Sequence, residues 1–564
     1  DDPWVTPAEL SHLTRTPRYR ETVEWLGRLV EAAPELEMVP IGTSPEGRKV
    51  WMVIASRDLA FSPPAIRATG KPILLAQAGI HAGEIDGKDA GMMLLRDMTV
   101  RGTKRELLDQ AIFLFVPIFN VDGHERFSAY SRMNQRGPIE SGWRVTSRRL
   151  NLNRDYAKLD TPEMRGMVET LNRYDPDLYL DIHVTDGMDY QYDITFGFAG
   201  AHAYSPAIST WMDRYLVPAW NRDLERMGHV PGSLIFPRNQ QNSEQGIVRW
   251  TPTQRYSDGY GNARHLPTVL VENHSLKTYE QRVLGTYLLL ESGLRSLAKR
   301  GQRLRRAILR DRNRRPAEMV LDWSYRKEPT GILEFLGVKS RMFRSPISGN
   351  QVIEWTGEPV TMPVPVYEKS VPGVTVTRPA AYWIPPAWSE VIDRLAMHGI
   401  ESERIPAARE IELERYVIEE VKLEADPFEG HMRVAGKFTL RKETIRLAPG
   451  SVRVSTDQPL GDLAVLLLEP ESPDSFFQWG FFLESLQRVE YAEDYVLEPM
   501  ARKMLEIDPA LKTEFEQKLA RDDDFAGDPA ARMRWFYEKS PFFDPEWRIY
   551  PVAREPQSGG QALK

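Results

Sequence analysis

The sequence of 564 residues contains no cysteine. A disulfide scaffold, a cysteine-ligated metal centre and thiol catalysis are therefore excluded. The longest apolar run, at 111–119, has only nine residues, whereas a membrane-spanning helix needs about 18, so no membrane span is expected. The 73 basic residues are outnumbered by 80 acidic ones, and the formal charge is −7. Because nucleic-acid binding calls for clustered basic charge, DNA and RNA are not expected partners.

The first residues, Asp-Asp-Pro-Trp, contain neither a methionine nor a charged segment followed by an apolar one. Two explanations are open: a signal peptide has been removed, or the sequence simply begins at this point. The lack of cysteine is compatible with a periplasmic or secreted protein and also with a cytoplasmic one. We predict a periplasmic or secreted location and leave the cytoplasm open.

Helical and extended patterns alternate over about the first 300 residues. Strands are predicted at 37–41, 50–56, 71–80, 111–118, 178–183 and 268–272, and helices at 19–32 and 87–98. This alternation predicts an α/β fold with a doubly wound, mostly parallel mixed sheet. In such sheets, ligands bind at the carboxyl ends of the strands.

The pattern changes beyond a predicted helix that begins near Thr278 and leads into the basic stretch 300–306. We interpret that stretch as a solvated helix face between two domains, at 1–315 and 316–564. The second domain is predicted to be an α+β extension with irregular β structure, hairpins and late helices, at 359–376, 419–456 and 476–537. We predict that this extension shapes access to the cleft or mediates homodimerisation.

Candidate metal ligands follow two of the predicted strands. His81-Ala-Gly-Glu84 supplies an imidazole and a carboxylate, which both suit Zn²⁺, and a catalytic zinc site needs three protein ligands. The spacing alone is not decisive, because His398-Gly-Ile-Glu401 repeats it. His183, at the end of another strand, offers a third ligand, and Asp181 on the same strand face is a candidate hydrogen-bond acceptor for it.

Two further groups of residues are candidates for catalysis and for substrate binding. Glu272 closes an apolar strand, and a carboxylate is rarely buried there unless it faces a cleft, where it can take a proton from water beside zinc. Arg132, Arg136 and Arg144 lie in a loop that precedes Asn153 and Arg154. Arginine forks bind carboxylates, although a surface loop with scattered arginines is the simpler interpretation.

Together these residues resemble the zinc carboxypeptidases of the carboxypeptidase A type over about residues 1–300. The matching pieces stand in the family's order: Gly42-Thr-Ser-Pro-Glu-Gly-Arg48, His81-Ala-Gly-Glu84, Asn120-Val-Asp-Gly123, Asn153-Arg154, His183 and Glu272. Six pieces in order are hard to obtain by accident.

The resemblance implies a zinc metallocarboxypeptidase that acts on peptides with a free C-terminus. It implies His81, Glu84 and His183 as ligands of one Zn²⁺ per catalytic domain, and Glu272 as the general base. Asn153 and Arg154 would bind the substrate's terminal carboxylate. Arg136 lies 17 residues before Asn153, at the family's spacing for the arginine that polarises the scissile carbonyl. Loop lengths vary there, so Arg132 and Arg144 stay as alternatives.

The sequence departs from the family pattern at several positions. Asn151 stands where relatives commonly carry an aspartate bonded to the first histidine, and Gly83 stands where some relatives carry an arginine. The family's capping tyrosine falls on Trp250, with Tyr256 and Tyr260 as other candidates.

The preferred C-terminal residue is also open. Arg255, beside Ser257-Asp258-Gly259, would favour acidic residues if it faced the side-chain pocket. Alternatively, it points to solvent or pairs with Asp258.

Two other functions remain open at this stage. A related zinc amidase or deacylase that acts on cell-wall peptides or acylated amino acids would use the same metal ligands. A binding module without catalytic activity is the other alternative. It is disfavoured because His81, Glu84, His183 and Glu272 are all present.

Overall fold

The computed structural model describes residues 2–200, 202–488 and 490–557. The strands are β1 (Leu36–Thr43), β2 (Lys49–Ala55), β3 (Ile73–Ala78), β4 (Ile112–Val116), β5 (Leu178–Thr185), β6 (Ile194–Gly197), β7 (Pro231–Ser233), β8 (Ile235–Pro237), β9 (Ile247–Arg249), β10 (Thr268–His274), β11 (Glu318–Tyr325), β12 (Gly331–Arg344), β13 (Gln351–Tyr367), β14 (Lys369–Thr377), β15 (Ala381–Ile384), β16 (Glu403–Arg404), β17 (Arg409–Leu423), β18 (Val434–Leu447), β19 (Val452–Ser455) and β20 (Ala553–Glu555).

The helices are α1 (Pro7–Leu10), α2 (Tyr19–Ala32), α3 (Pro63–Thr69), α4 (Asp86–Met98), α5 (Leu107–Gln110), α6 (Val121–Glu125), α7 (Pro162–Tyr174), α8 (Pro206–Trp211), α9 (Val217–Arg226), α10 (Ser257–Ala263), α11 (Tyr279–Arg312), α12 (Ser389–Met397), α13 (Gly461–Leu468), α14 (Asp494–Ile507), α15 (Pro509–Arg521), α16 (Asp523–Gly527) and α17 (Pro529–Glu538). Among the described residues, none of these helices combines the length and apolar character needed to cross a bilayer.

An eight-stranded sheet forms the centre of the first half of the chain. Its strand order is β1-β2-β4-β3-β5-β10-β6-β7. The four middle strands, β4, β3, β5 and β10, run parallel, whereas β1, β2 and β6 make antiparallel pairings. The predicted doubly wound, mixed α/β sheet is confirmed.

The parallel strands define where a ligand can bind. From β3 the chain passes through α4 to β4 on one side, and β5 lies on the other side of β3. This reversal of direction opens a crevice at the carboxyl ends of the strands, the usual ligand site of such sheets. The loop after β3 and the ends of β5 and β10 therefore meet at one edge.

Both faces of the central sheet are covered. Helices α2, α4 and α11 pack on one face, and α7, α10 and α13 belong to the core on the other face. Residues 463–468 of α13 are apolar on every side, so that helix is fully buried. The extension thus shares a hydrophobic core with the first half of the chain.

Helix α11 is longer than the predicted helix. It continues through the basic stretch 300–306 to Arg312. Arg305 within that stretch forms an ion pair of 2.7 Å with Asp177, and Arg303 donates a hydrogen bond to the Tyr215 hydroxyl. The stretch is therefore a helix face, as expected, and two of its guanidinium groups bind residues of the first half of the chain.

The extension contains more regular β structure than predicted. Residues 359–376 were expected to be irregular, but they fall in the long strands β13 and β14. Pro359, Pro363 and Pro365 lie on β13, which pairs along one side with β12 and on the other side only through Val366 and Tyr367. Prolines fit a strand with a nearly free edge, because their missing N–H groups leave no partner unpaired.

Of the two hairpins predicted at 419–456, the first is confirmed. Strands β17 and β18 form a hairpin around the predicted turn at 426–430. The second hairpin is wrong, since β19 pairs with β15 and β16 instead of β18. These strands build a six-stranded sheet of order β16-β19-β15-β20-β17-β18. Strand β20, which follows all the others in the chain, lies between β15 and β17.

The two halves also share a sheet. Strands β12 and β13 of the extension continue into β9 and β8 of the first half, with Val366 opposite Ile247. The boundary near residue 315 and dimerisation through the extension stay predictions.

One buried carboxyl in this core predicts a pH-dependent stability. Glu163 of α7 has no hydrogen-bond partner on either oxygen within the described chain, and burial raises its pKa from 4.5 to about 7. The folded protein therefore keeps a proton that the unfolded chain releases, so the free energy of unfolding falls as pH rises from about 4.5 to 7. We expect Glu163→Gln to be more stable than the wild type by about 1–3 kcal/mol at pH 8 and equal to it at pH 4. Urea unfolding at both pH values measures this; a stability difference that does not change with pH would contradict it.

Candidate active site

The candidate residues come together at the carboxyl edge of the central sheet. Strand β3 ends in a turn at Gly79, which has a φ of +68° and faces Ile85, so a side chain there would be strained. The turn brings His81 and Glu84 back over the sheet just before α4 begins. His183 on β5 and Glu272 on β10 stand directly opposite each other in the parallel register of those strands.

Three ligand atoms converge at this edge. His81 Nδ1 lies 3.0 Å from Glu84 Oε2, and His183 Nδ1 lies 3.1 Å from the same oxygen. The two Nδ1 atoms are 3.2 Å apart. All three side chains are buried. In the described chain this is the one group of three or more such side chains that could hold a metal ion.

Hydrogen bonds on the far side of each imidazole fix its orientation. His183 Nε2 lies 2.8 Å from Asp181 Oδ2, and His81 Nε2 lies 3.0 Å from Asn151 Oδ1. Both partner oxygens accept hydrogen bonds, so each Nε2 carries the proton and each Nδ1 turns its lone pair towards the other. Asn151 thus takes the place that the sequence comparison gave to an aspartate.

The donor set fits zinc. Ligands about 2.0–2.1 Å from a tetrahedral ion lie about 3.3–3.4 Å from one another, close to the 3.0–3.2 Å observed here. Burial lowers the pKa of His81 to about 4. Burial also opposes the charged form of His183, but Asp181 outweighs it and raises the pKa of His183 well above 6.5. The carboxylates around His183, which are those of Asp181, Glu84 and Glu272, therefore favour positive charge at this imidazole.

Two arginines bind the other oxygen of Glu84. Arg132 and Arg144 each lie 3.1 Å from Glu84 Oε1. A Cβ atom at Gly83 would lie 2.5 Å from the Arg132 side chain and 2.7 Å from the Gly142 carbonyl oxygen. Glycine at position 83 therefore makes room for Arg132, whose guanidinium reaches the metal-ligand candidate from the neighbouring loop.

Glu272 faces the same cavity. Burial raises its pKa to about 8, and its Oε2 has no hydrogen-bond partner in the described residues. A partly buried carboxyl with a free oxygen and a raised pKa is suited to general base catalysis. The cavity has a volume of about 240 Å³ and is lined by His81, Glu84, Arg144, Asn153, Arg154, His183, Val184, Thr185, Asp186, Phe236, Trp250, Tyr256, Leu270 and Glu272.

The candidate carboxylate clamp lies across this cavity. Asn153 is buried, and its Oδ1 accepts a hydrogen bond of 3.3 Å from the backbone N–H of Ser257. Arg154 donates to the Asn153 carbonyl oxygen and stacks over the Tyr256 ring, with 4.5 Å to its centroid. These contacts hold a guanidinium fork beside the metal-ligand candidates.

Arg136 lies elsewhere. The structure places it in a separate cavity, lined also by Gln135, Pro138 and Thr278, and its side chain is exposed. Of the three loop arginines, Arg144 is the one that lines the cavity of Glu272. The spacing to Asn153 favoured Arg136, but the number of residues between two positions does not determine the path of the loop between them.

Tyr256 and Trp250 both line the cavity, whereas Tyr260 does not. Tyr260 is buried, and its hydroxyl lies 2.9 Å from His398 Nδ1. The Trp250 indole donates a hydrogen bond of 2.7 Å to Asp258. Tyr256 therefore remains the tyrosine in reach of a substrate.

Arg255 neither enters the cavity nor pairs with Asp258. Its Nε lies 3.6 Å from Asp474 Oδ2, and it donates to the Tyr256 hydroxyl. Its guanidinium also lies over the ring of Phe428. The extension thus holds Arg255 away from the cavity, so this residue gives no reason to expect a preference for acidic C-terminal residues.

Two histidines outside the cluster, His398 and His274, have structural partners. His398 is buried between Tyr260 and the Ala157 carbonyl oxygen, and Glu401 of the repeated motif is exposed. His274 pairs with Asp189, 3.1 Å away, and stacks on Tyr190. The second His-x-x-Glu sequence is therefore a packing feature.

The chain is similar to zinc carboxypeptidases and their relatives. Residues 22–265 match the zinc carboxypeptidase family model. The chain is 25% identical over 468 residues to carboxypeptidase 2 of Trichophyton rubrum, with 78% of each protein covered. It is also 25% identical over 236 residues to an inactive metallocarboxypeptidase of Schizosaccharomyces pombe, with 39% of this chain and 46% of that protein covered. The carboxypeptidase A structure from Helicoverpa armigera is 16% identical, with a TM-score of 0.39, over 51% of this chain and 75% of that one.

Proposed function

We propose, from the match of residues 22–265 to the zinc carboxypeptidase family model and the likeness to carboxypeptidase 2, that the protein is a metallopeptidase that removes the C-terminal residue from peptides that end in a free carboxylate. One observation carries the proposal. His81, Glu84 and His183 converge within 3.2 Å beside the unpaired carboxyl of Glu272 and the guanidinium of Arg154.

The metal site is proposed to consist of His81, Glu84 and His183, with one Zn²⁺ per catalytic domain. A bound zinc ion would supply Lewis-acid polarisation of water and of the substrate carbonyl. Asp181 and Asn151 would keep the two imidazole lone pairs aimed at the ion, because they hold the opposite nitrogen of each ring.

Glu272 is proposed to transfer a proton from the attacking water to the leaving amine. Its free Oε2 would accept a proton from the attacking water and then donate it to the amine that leaves. The same carboxyl can serve both steps because burial raises its pKa above the usual 4.5, which brings its proton affinity closer to that needed for proton transfer near neutral pH.

Asn153 and Arg154 are proposed to bind the terminal carboxylate of the substrate. An arginine fork can hold both carboxylate oxygens, and the Asn153 amide adds a donor. An internal peptide bond offers no carboxylate at this point, which restricts cleavage to the end of the chain.

Arg144 is proposed as the cation that stabilises the oxyanion of the tetrahedral intermediate, because it lines the cavity and already contacts Glu84. Removing one oxyanion donor costs about 10²–10³-fold in kcat, and we expect Arg144→Ala to show a loss of this size. Arg136→Ala is the matched control and should stay within about twofold of the wild type, as exposed substitutions do. Steady-state kinetics of the two variants decide between these arginines; a large loss for Arg136→Ala alone would reverse the assignment.

Mass spectrometry of matched peptides tests the proposal as a whole. Each peptide is supplied with a free or an amidated C-terminus, with and without a zinc chelator. The expected result is loss of single residues from free C-termini only, abolished by the chelator. Cleavage of amidated peptides at equal rates would contradict exopeptidase action. If all ordinary peptides survive, peptides with D-amino acids and acylated amino acids test the amidase and deacylase alternatives.

A further inference from the structure

The loop that connects β17 to β18 in the extension, residues 424–433, reaches the candidate active site. We infer that Glu429 of this loop is a positioning residue: it holds Asn151, which in turn orients the metal-ligand candidate His81 and the clamp residue Asn153. This inference rests on the proposed function and assigns the extension a part in it.

The first contact is a hydrogen bond between distant parts of the chain. Glu429 Oε2 accepts from the backbone N–H of Asn151 at 2.7 Å, across 278 residues. Asn151 is only 6% exposed. A hydrogen bond from a buried N–H to a carboxylate is among the stronger ones in proteins, and its loss leaves the N–H without a partner.

The second contact connects Asn151 to the site. Asn151 Oδ1 lies 3.0 Å from His81 Nε2 and accepts a hydrogen bond of 2.9 Å from the backbone N–H of Asn153. One residue therefore joins the extension to a metal-ligand candidate on one side and to the clamp on the other. A shift of Asn151 would turn the His81 ring and move Asn153 together.

The backbone of the 424–433 loop is adapted to this contact. Glu429 has a φ of +51° and Gly430 a φ of +81°. A left-handed conformation costs a glutamate about 1 kcal/mol, and such strain persists where the surroundings require it. The turn directs the Glu429 side chain towards the Asn151 backbone.

Further contacts anchor the loop on both sides of Glu429. His431 Nε2 lies 2.7 Å from Asp160 Oδ2, and Arg433 pairs with Asp474 at 3.0 Å. The Phe428 ring stacks parallel to the Trp479 ring. Because the loop is fixed to the protein beside the clamp, Glu429 can hold Asn151 in one position.

Charge also favours an acidic residue at this place. Glu429 is one of the charges that act on Arg154, where it opposes the like charges of Arg255 and Arg144. A carboxylate between the extension and the clamp thus balances the guanidinium groups of Arg154 and Arg255. Asp426 in the same loop has no such role, since it is exposed and lacks a side-chain partner in the described chain.

Four variants of the full chain test the inference: Glu429→Ala, Glu429→Gln, Glu429→Asp and the control Asp426→Ala. Glutamine keeps an oxygen that accepts the hydrogen bond, whereas aspartate keeps the charge but is too short to reach. Two quantities are measured: zinc affinity by competition with a chelator, and KM and kcat on a peptide with a free C-terminus. Thermal unfolding by circular dichroism identifies any variant that does not fold.

We expect Glu429→Ala and Glu429→Asp to weaken zinc binding by about tenfold, the lower end of the effect of an outer hydrogen-bond partner. KM for the free-carboxylate peptide should rise by a similar factor, with a smaller change in kcat. Glu429→Gln should lie between Glu429→Ala and the wild type, because it keeps the hydrogen bond but loses the charge, and Asp426→Ala should match the wild type. If Glu429→Ala does not fold, Glu429→Asp carries the test.

Two results would overturn the inference. One is that the alanine and aspartate variants equal Asp426→Ala in both measurements. The other is that Glu429→Gln is as impaired as Glu429→Ala. If the wild type cleaves no peptide, the proposed function fails, and the zinc affinities still decide the role of Glu429.

Discussion

Glu272→Gln is expected to lower kcat on a peptide with a free C-terminus by about 10³-fold, within the 10²–10⁴-fold range of a lost general base. Glutamine has nearly the same shape, but its amide cannot take a proton from water. Because Glu272 is outside the set of metal-ligand candidates, zinc binding should be retained. KM should change little, since the carboxylate clamp is intact.

The matched control is Glu163→Gln. It makes the same chemical change at another buried carboxyl with unpaired oxygens, on helix α7. Its kcat should equal that of the wild type. Stopped-time assays by mass spectrometry at saturating peptide measure both variants. A Glu272→Gln enzyme that keeps more than about a tenth of wild-type kcat would remove Glu272 from the proposed mechanism.

The second large effect concerns the metal. Zinc sites with four protein ligands bind with about 10–16 kcal/mol, so one ligand accounts for about 3–4 kcal/mol. We therefore expect His183→Ala to weaken zinc binding by about 10²–10³-fold and to lose turnover at low zinc. Elemental analysis after dialysis should give about one zinc per wild-type chain and much less for the variant.

His274→Gln is the control for this experiment. His274 is equally buried and lies two residues from Glu272, but its partners are Asp189 and Tyr190. It should bind as much zinc as the wild type does. Equal zinc content in His183→Ala and the wild type would mean that the cluster of His81, Glu84 and His183 is not the metal site.

Most of the first half of the fold could be predicted from the sequence, because its signals are local. The helix at 19–32 has the predicted bounds, since its apolar residues repeat at helical spacing. The strands predicted at 111–118 and 178–183 correspond to the buried parallel strands β4 (Ile112–Val116) and β5 (Leu178–Thr185). The edge where ligands bind followed from the order of strands and helices.

The extension was harder to predict because its pairings are distant in sequence. No local pattern indicates that β19 pairs with β15, or that β20 enters between β15 and β17. The prolines of β13 suggested irregular structure, but their effect depends on whether the strand edge is free. That depends on neighbours which the sequence does not reveal.

In the candidate site, too, residues with local sequence motifs could be predicted, whereas contacts between distant residues could not. Motif spacing brought His81, Glu84, His183 and Glu272 together as candidates, and the structure brings their side chains to one cavity. Spacing favoured Arg136, whereas Arg144 lies in the cavity, because loop length does not determine loop path. The contact of Glu429 with Asn151 joins residues 278 positions apart and has no signal in either local sequence.

The central position of β20 has a consequence for biosynthesis. A ribosome makes this strand after every other described element, and the six-stranded sheet stays divided between β15 and β17 until residues 553–555 have emerged. The 424–433 loop connects β17 and β18, which lie on one side of that gap. The chain that contains the metal-ligand candidates and Glu429 is therefore translated before this sheet can be completed. Such an order of assembly would delay the proposed peptidase activity until β20 has been synthesised.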